Sequence, residues 1–183
     1  MTSSVSFGAL PSRTCRISEN LIIGAKQGFA DFRQLKNEEY VSRVIDLRNN
    51  RPFKKIKEYI FCKILGLDYI STPMAIGDKK PLCADIFEKI HSLVQGNNTG
   101  RTLVHCNSGI HRSLLAAAFD EFKCGRLKSF DDLTEFLKTG NYYSLSKKVH
   151  LGRKVPLTPA DIEYRTNNLE YQKQAFWEML QNC

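Results

Sequence analysis

Between residues 101 and 122 the chain passes from a short apolar run, through a glycine-centred loop, into a second apolar run. The first run (Leu103, Val104) is short and reads as a buried strand. The second (Leu114, Leu115, Ala116, Ala117, Ala118, Phe119, Phe122) is apolar nearly all round and reads as a helix enclosed on every side. A strand, a tight loop and a buried helix in that order restrict the fold severely. The loop must sit at the carboxyl end of a central strand, with the helix packed behind it. Cys106 closes the strand and Arg112 opens the helix, with Asn107, Ser108, Gly109, Ile110 and His111 between them. Backbone N–H groups of such a loop point inward, and the helix dipole adds positive potential at the same spot, so the loop is a socket for a dianion. A thiol held there ionises more easily, and the thiolate is the nucleophile. Arg112 supplies a planar fork matched to phosphate oxygens. Gly109 lets the chain turn where a side chain would clash. Singly, a cysteine after a strand is a small hydrophobe and a glycine is a turn. Together, at this spacing, they point to attack of Cys106 on a phosphoryl group through a covalent phosphocysteine.

The remaining elements place that loop in an α/β fold. Strands are expected over residues 21–23, 43–47, 69–72 and 101–105. A basic segment over 51–66 spaces Phe53, Ile56, Ile60 and Ile64 like one helix face. A helix over 83–94 aligns Ile86, Phe87, Ile90, Leu93 and Val94. Gly125 stops the helix that begins at Arg112. Ser129 and Asp132 form a capping-box-like start for a helix with Leu133, Phe136 and Leu137 inward, ended by Gly140. Thr158 and Pro159 open a last helix carrying Ile162, Leu169, Phe176 and Leu180, whose continuity the pair Asn167 and Asn168 weakens. Strands alternating with helices imply a mostly parallel central sheet flanked by helices. Residues 1–15, rich in Ser and Thr, read as a loosely ordered N-terminal segment. Residues 16–183 read as a single catalytic domain.

The run His-Cys-Asn-Ser-Gly-Ile-His-Arg-Ser over 105–113 resembles the signature of the cysteine-based protein tyrosine phosphatases, dual-specificity branch. Residues 17–24, 44–48 and 67–73 are similar to flanking strands of that family, and the resemblance covers roughly 16–138. It implies a protein tyrosine phosphatase-like fold and a phosphatase for phosphotyrosine, with phosphoserine and phosphothreonine as further substrates. It also implies that Ser113 hydrogen-bonds the sulfur and helps it leave. His105 would orient the loop. A carboxylic acid on the loop after Pro73 would protonate the leaving oxygen. Counting back from Pro81 places that acid at Asp78, in a loop about two residues longer than usual, with Asp68 and Asp85 as fallbacks. The family's usual position, three residues after the proline, is Ile76 here. The loop residues Asn107, Ser108, Gly109, Ile110 and His111 would bind the phosphate together with Arg112. Some relatives protect the nucleophile through a disulfide, for which Cys62 and Cys83 are the candidates, although both read more simply as buried thiols.

Composition narrows the alternatives. Net charge is +8 with a pI near 9.2, and lysines cluster at 54–57, 79–80 and 147–148. A positive field of this kind attracts anionic substrates. The partner expected is therefore a phosphorylated protein, with an acidic phosphoinositide or an RNA 5′ end as alternatives, and capture of phosphorylated partners without turnover as a third reading. Against lipids, no Lys stands between Cys106 and Arg112. Against RNA ends, the loop lacks their Thr-His…Asn-Arg pattern. No HExxH, paired His cluster or Walker loop is present, so no metal or other cofactor is expected. No apolar run approaches the roughly 20 residues that span a bilayer. The six cysteines form no C-x-x-C pair and no signal peptide precedes them, so a reducing, cytoplasmic setting is expected.

Overall fold

The computed structural model describes residues 10–11, 13–49, 52–75, 82–140 and 158–183. Five strands, β1 (Thr14–Arg16), β2 (Leu21–Gly24), β3 (Val41–Asp46), β4 (Asp68–Ser71) and β5 (Arg101–His105), form one sheet in the order β1-β2-β5-β3-β4. The last four run parallel, and β1 is an antiparallel edge. Among the described residues six helices accompany them: α1 (Phe29–Glu39), α2 (Pro52–Leu65), α3 (Ala84–Gln95), α4 (Arg112–Lys123), α5 (Phe130–Thr139) and α6 (Pro159–Gln181). The mostly parallel α/β sheet expected from the alternation of elements is the architecture observed.

Parallel strands are covered on both faces, so they carry unbroken apolar runs. Ile22, Val44 and Leu103 face α1 and α2, packing with Phe32, Leu35 and Cys62. Their neighbours Ile23, Ile45 and Val104 face the opposite layer, where α3 to α6 contribute Phe87, Ile90, Leu115, Phe119, Leu133 and Phe176. Helix α4 is buried continuously from Ser113 to Asp120, as its all-round apolar character requires. Gly125, at φ +71°, ends it in the left-handed conformation. Ser129 caps α5 reciprocally: its hydroxyl accepts from the Asp132 N–H at 3.1 Å, and the Asp132 carboxylate accepts from the Ser129 N–H at 2.9 Å.

Register aligns the strand ends. Gly24 of β2 and Asp46 of β3 both stand opposite His105 of β5. The chain therefore leaves three adjacent strands at one edge, and the Cys106 loop occupies the centre of that edge.

Three expectations need correction. Helix α2 is present, but Ile56, Ile60 and Ile64 point outward, at 46%, 46% and 68% exposure; the side chain of Phe53 lies outside those described. The buried face carries Glu58 and Cys62 instead. An ionic requirement beneath the loop, described below, decides the rotation of α2 over hydrophobic periodicity. Second, α6 runs unbroken through Asn167 and Asn168, because Leu169, Phe176 and Leu180 anchor it to the core and outweigh two weak helix formers. Third, Cys83 is exposed rather than buried, just ahead of α3. Two elements, β1 and α1, were not anticipated. Among the described residues no helix is long and apolar enough to cross a membrane.

Candidate active site

The loop from Cys106 to His111 is laced to both neighbouring strands. The Cys106 N–H donates to the Gly24 carbonyl at 3.2 Å, and the Leu47 N–H donates to the His105 carbonyl at 2.9 Å. Ala25 and Ser108 form an isolated antiparallel bridge. Gly109 adopts φ +78°, and a β-carbon there would lie 2.7 Å from the Ala25 nitrogen. A side chain is excluded both by backbone conformation and by space.

This lacing brings donors to the sulfur. The Gly109 N–H donates to Cys106 Sγ at 3.3 Å, and Ser113 Oγ lies 3.4 Å from the same atom. Burial alone would raise the thiol pKa. The Ser113 hydroxyl and the backbone N–H groups of Ser113, Gly109 and Ser108 outweigh it and hold the thiol below its ordinary value. Cys106 thus sits at a helix N-terminus with its anion pre-solvated.

Arg112, one residue into the loop-to-helix turn, donates through Nη1 to the carbonyls of Leu47 (3.0 Å) and Met74 (3.4 Å). Its guanidinium is thereby held toward the β3–β4 side of the loop. His111 is half-buried beside α6, with Nε2 3.0 Å from Gln172 Oε1. Burial depresses its pKa, against the Gln172 contact and with help from the charge of Arg112, so the ring is neutral near pH 7 and ties the loop to α6. Asn107 is exposed, while Ser108 and Ile110 are half-buried. Asp78 lies outside the described residues. Of its fallbacks, Asp68 begins β4, at the end of the sheet away from the loop, and pairs with Arg43 at 2.8 Å. Asp85 is exposed in the first turn of α3.

Beneath the loop lies a buried ionic group that sequence reasoning missed. Arg48 donates from Nε and Nη2 to the two carboxylate oxygens of Asp46, both at 2.8 Å, and from Nη2 to Glu58. Tyr69 donates to Asp46 at 2.7 Å. The Nε2 of His105 lies 3.6 Å from the Glu58 carboxylate, and Phe32 of α1 packs edge-on against the His105 ring. Burial alone would raise the Asp46 carboxyl, but Arg48, His105 and Tyr69 pull it down to about 2. Burial pushes Glu58 up to about 7 despite Arg48, and drives His105 down to about 4 despite Asp46. The ring next to Cys106 is therefore uncharged at neutral pH. Asp46, Glu58 and His105 stand close enough together to hold a metal, but Arg48 already serves both carboxylates, so an ion has no place. Lys55 of α2, bonded to Ser71 at 2.8 Å, adds positive charge nearby; burial first, and then the repulsion of Arg48 and Arg112, lowers its pKa.

On the β1–β2 side of the loop, opposite Arg112, a cavity of about 550 Å³ is walled by Ile17, Ile23, Ile110, Leu114 and Phe136, with Cys15 at its margin. Cys106 is not among its walls.

No protein-family model matches the sequence, and no curated protein is detected as a relative. Solved structures match in three dimensions. The core catalytic domain of the PP-IP phosphatase Siw14 from S. cerevisiae superposes with a TM-score of 0.59 at 14% identity, over 92% of this chain and 96% of that one. PTPMT1 gives 0.55 at 16% identity, over 88% and 96%. The PTP-2 phosphatase of Cydia pomonella gives 0.55 at 16% identity, over 83% and 86%. At such identities the likeness is one of fold: the chain has the fold of the protein tyrosine phosphatase-like phosphatases.

Proposed function

We propose that this protein hydrolyses phosphomonoesters through a phosphocysteine intermediate, with protein phosphotyrosine as its preferred substrate and phosphoserine and phosphothreonine as further ones. The observation that carries the reading is the sulfur of Cys106 receiving the Gly109 N–H and facing the Ser113 hydroxyl at the start of α4. Those groups lower the thiol pKa, which suits a nucleophile that must ionise before a dianion arrives.

The thiolate attacks phosphorus in line while Arg112 and the loop amides from Asn107 to His111 hold the three equatorial oxygens. The S–P bond forms, the P–O bond to the substrate breaks, and the departing oxygen takes the proton of Asp78. Asp78, now a carboxylate, accepts a proton from water as that water attacks the phosphocysteine. Phosphate leaves, and the regenerated thiolate is stabilised by the Ser113 hydroxyl. The absence of lysine between Cys106 and Arg112 supports a singly phosphorylated side chain as substrate. The six free cysteines suit a reducing compartment such as the cytoplasm. The net charge of +8 and the fold shared with the PP-IP phosphatase Siw14 favour a second reading, a more highly charged phosphate ester.

The test is phosphate release from a phosphotyrosine peptide, a phosphothreonine peptide, phosphoinositides, an inositol pyrophosphate and 5′-triphosphate RNA, with Cys106→Ser as the blank. Faster turnover of the peptides is expected. Preference for the polyanions would move the substrate to the second reading, and turnover by Cys106→Ser would overturn the mechanism. Asp78→Ala should slow poor leaving groups by about a hundredfold or more; an unchanged rate would remove Asp78 from its role.

A further inference from the structure

Away from the loop, α3 and the far end of α4 meet through four polar side chains. His91 and Gln95 stand one turn apart on α3, and Asp120 and Cys124 stand one turn apart at the end of α4. Helical residues four apart share a face, so the two pairs confront each other. His91 Nδ1 is 2.7 Å from Asp120 Oδ1. Gln95 Nε2 donates to the same oxygen at 3.0 Å and lies 3.7 Å from Cys124 Sγ. The imidazole, carboxylate and thiol donor atoms all lie within 4.8 Å of one another.

A second observation shows that this cluster is incomplete. Asp120 is 1% exposed, yet its buried Oδ2 has no hydrogen-bond partner. Arg126 forms a long ion pair with Oδ2 at 3.9 Å, beyond hydrogen-bond reach, because its guanidinium is bonded at 2.7 Å to both oxygens of Glu121. A buried carboxylate oxygen left in this way is destabilising unless something satisfies it.

We propose that His91, Asp120 and Cys124 bind a divalent cation of borderline softness, zinc foremost, with the Gln95 amide oxygen or a water completing the tetrahedron. The donor set of imidazole nitrogen, carboxylate oxygen and thiolate sulfur is zinc's. Hard cations such as calcium require six or more oxygens, and one carboxylate does not provide them. Metal–donor distances of about 2.0–2.3 Å place tetrahedral donors about 3.3–3.8 Å apart, so His91 and Asp120 part from 2.7 Å while the more distant donors draw in from within 4.8 Å, changes that side-chain rotation can supply. On binding, the ion takes the place of the proton between His91 Nδ1 and Asp120; the neutral imidazole carries its one proton on Nε2, any second imidazole proton passes to solvent, and the Cys124 thiol proton passes to solvent. Zn²⁺ with one carboxylate, one thiolate and one neutral imidazole is a neutral centre, which its burial favours. The site lies at the C-terminal end of α4, about 18 Å from Arg112 at 1.5 Å per helical residue. Its consequence is therefore mechanical: it clamps α3 to the helix that carries the loop.

The test uses the full chain with Cys106→Ser, so that the loop thiol cannot ligate. Co²⁺ titration should give one equivalent bound, with a thiolate-to-cobalt charge-transfer band that Zn²⁺ abolishes, and Zn²⁺ should raise the melting temperature. Cys124→Ser should remove the band and weaken Zn²⁺ binding at least about a hundredfold, since even an outer-shell partner is worth about 10–100-fold. His91→Ala should weaken it comparably. Cys124 is half-exposed at a helix end, so serine leaves the fold intact, which circular dichroism verifies. A band that survives Cys124→Ser would assign the metal to the exposed Cys15, Cys83 or Cys183 and overturn the proposal. Absence of a thiolate band in the Cys106→Ser chain would also overturn it.

Discussion

Replacing Arg48 with methionine tests the claim that an ionic group, rather than apolar packing, supports the Cys106 loop. The guanidinium bonds both oxygens of Asp46 at 2.8 Å and also bonds Glu58, and all three side chains are at most 1% exposed. Removing one member of a buried pair costs about 3–5 kcal/mol, because a charge is left uncompensated. Two details favour the lower end. Asp46 keeps the Tyr69 hydroxyl at 2.7 Å and the Arg48 backbone N–H at 2.9 Å. Glu58, already pushed up to about 7, can take a proton and stop being a charge. About 3 kcal/mol remains, and in a domain of this size each kcal/mol lowers the melting temperature by about 2–4 °C, so a fall of about 6–12 °C is expected. Thermal melting followed by circular dichroism at pH 7, with urea unfolding alongside, reads this directly. A fall smaller than about 2 °C would show that the carboxylates are satisfied without Arg48, and the account of α2's orientation would go with it.

Glu58→Gln isolates the proton on that group. Its folded pKa of about 7 stands above the ordinary 4.5, so the wild type loses stability as pH rises through that window. The glutamine variant should gain on the wild type between pH 5 and 8 in urea midpoint; a constant difference would contradict the assignment. Ser113→Ala should raise the Cys106 thiol pKa, because it removes a hydrogen bond to the anion. Thiolate absorbance against pH measures it, with Cys106→Ser as the reference, and no shift would remove the hydroxyl from that role. Ile64→Lys, at a site 68% exposed, should change stability by less than about 0.5 kcal/mol, whereas Leu115→Ala in the core should cost about 2–5 kcal/mol. A comparable loss at Ile64 would mean that α2 is turned the other way.

The loop was legible because its information is contiguous: a strand, Cys106, Gly109, Arg112, Ser113 and an apolar helix follow one another in the chain. The ionic group was not, because Asp46, Arg48, Glu58, Tyr69 and His105 meet only in three dimensions. Glu58 stands among lysines and reads as surface, while the isoleucines beside it read as core. Hydrophobic periodicity therefore gave the right helix and the wrong face. Helix α1 escaped notice because only Phe32 and Leu35 mark its apolar stripe amid polar residues. Strand β1, with Thr14, Cys15 and Arg16, has no apolar alternation, and its pairing to β2 defines it. The expectation that Asp78 is the acid rests on counting back from Pro81, since a lone Gly-Asp pair is also an ordinary turn, and Asp78 lies outside the described residues.

The lacing of the loop has a dynamic consequence. The amides of Cys106 and Leu47 are held by bonds that cross between β5 and its neighbours, so neither can reach solvent unless the middle of the sheet parts. Such amides exchange their hydrogens only through the largest openings of a domain. Cys106 therefore belongs to the last region of the molecule to let go. On warming, the loop should keep its form until the whole sheet melts, and loss of its chemistry and loss of the fold should be one event rather than two.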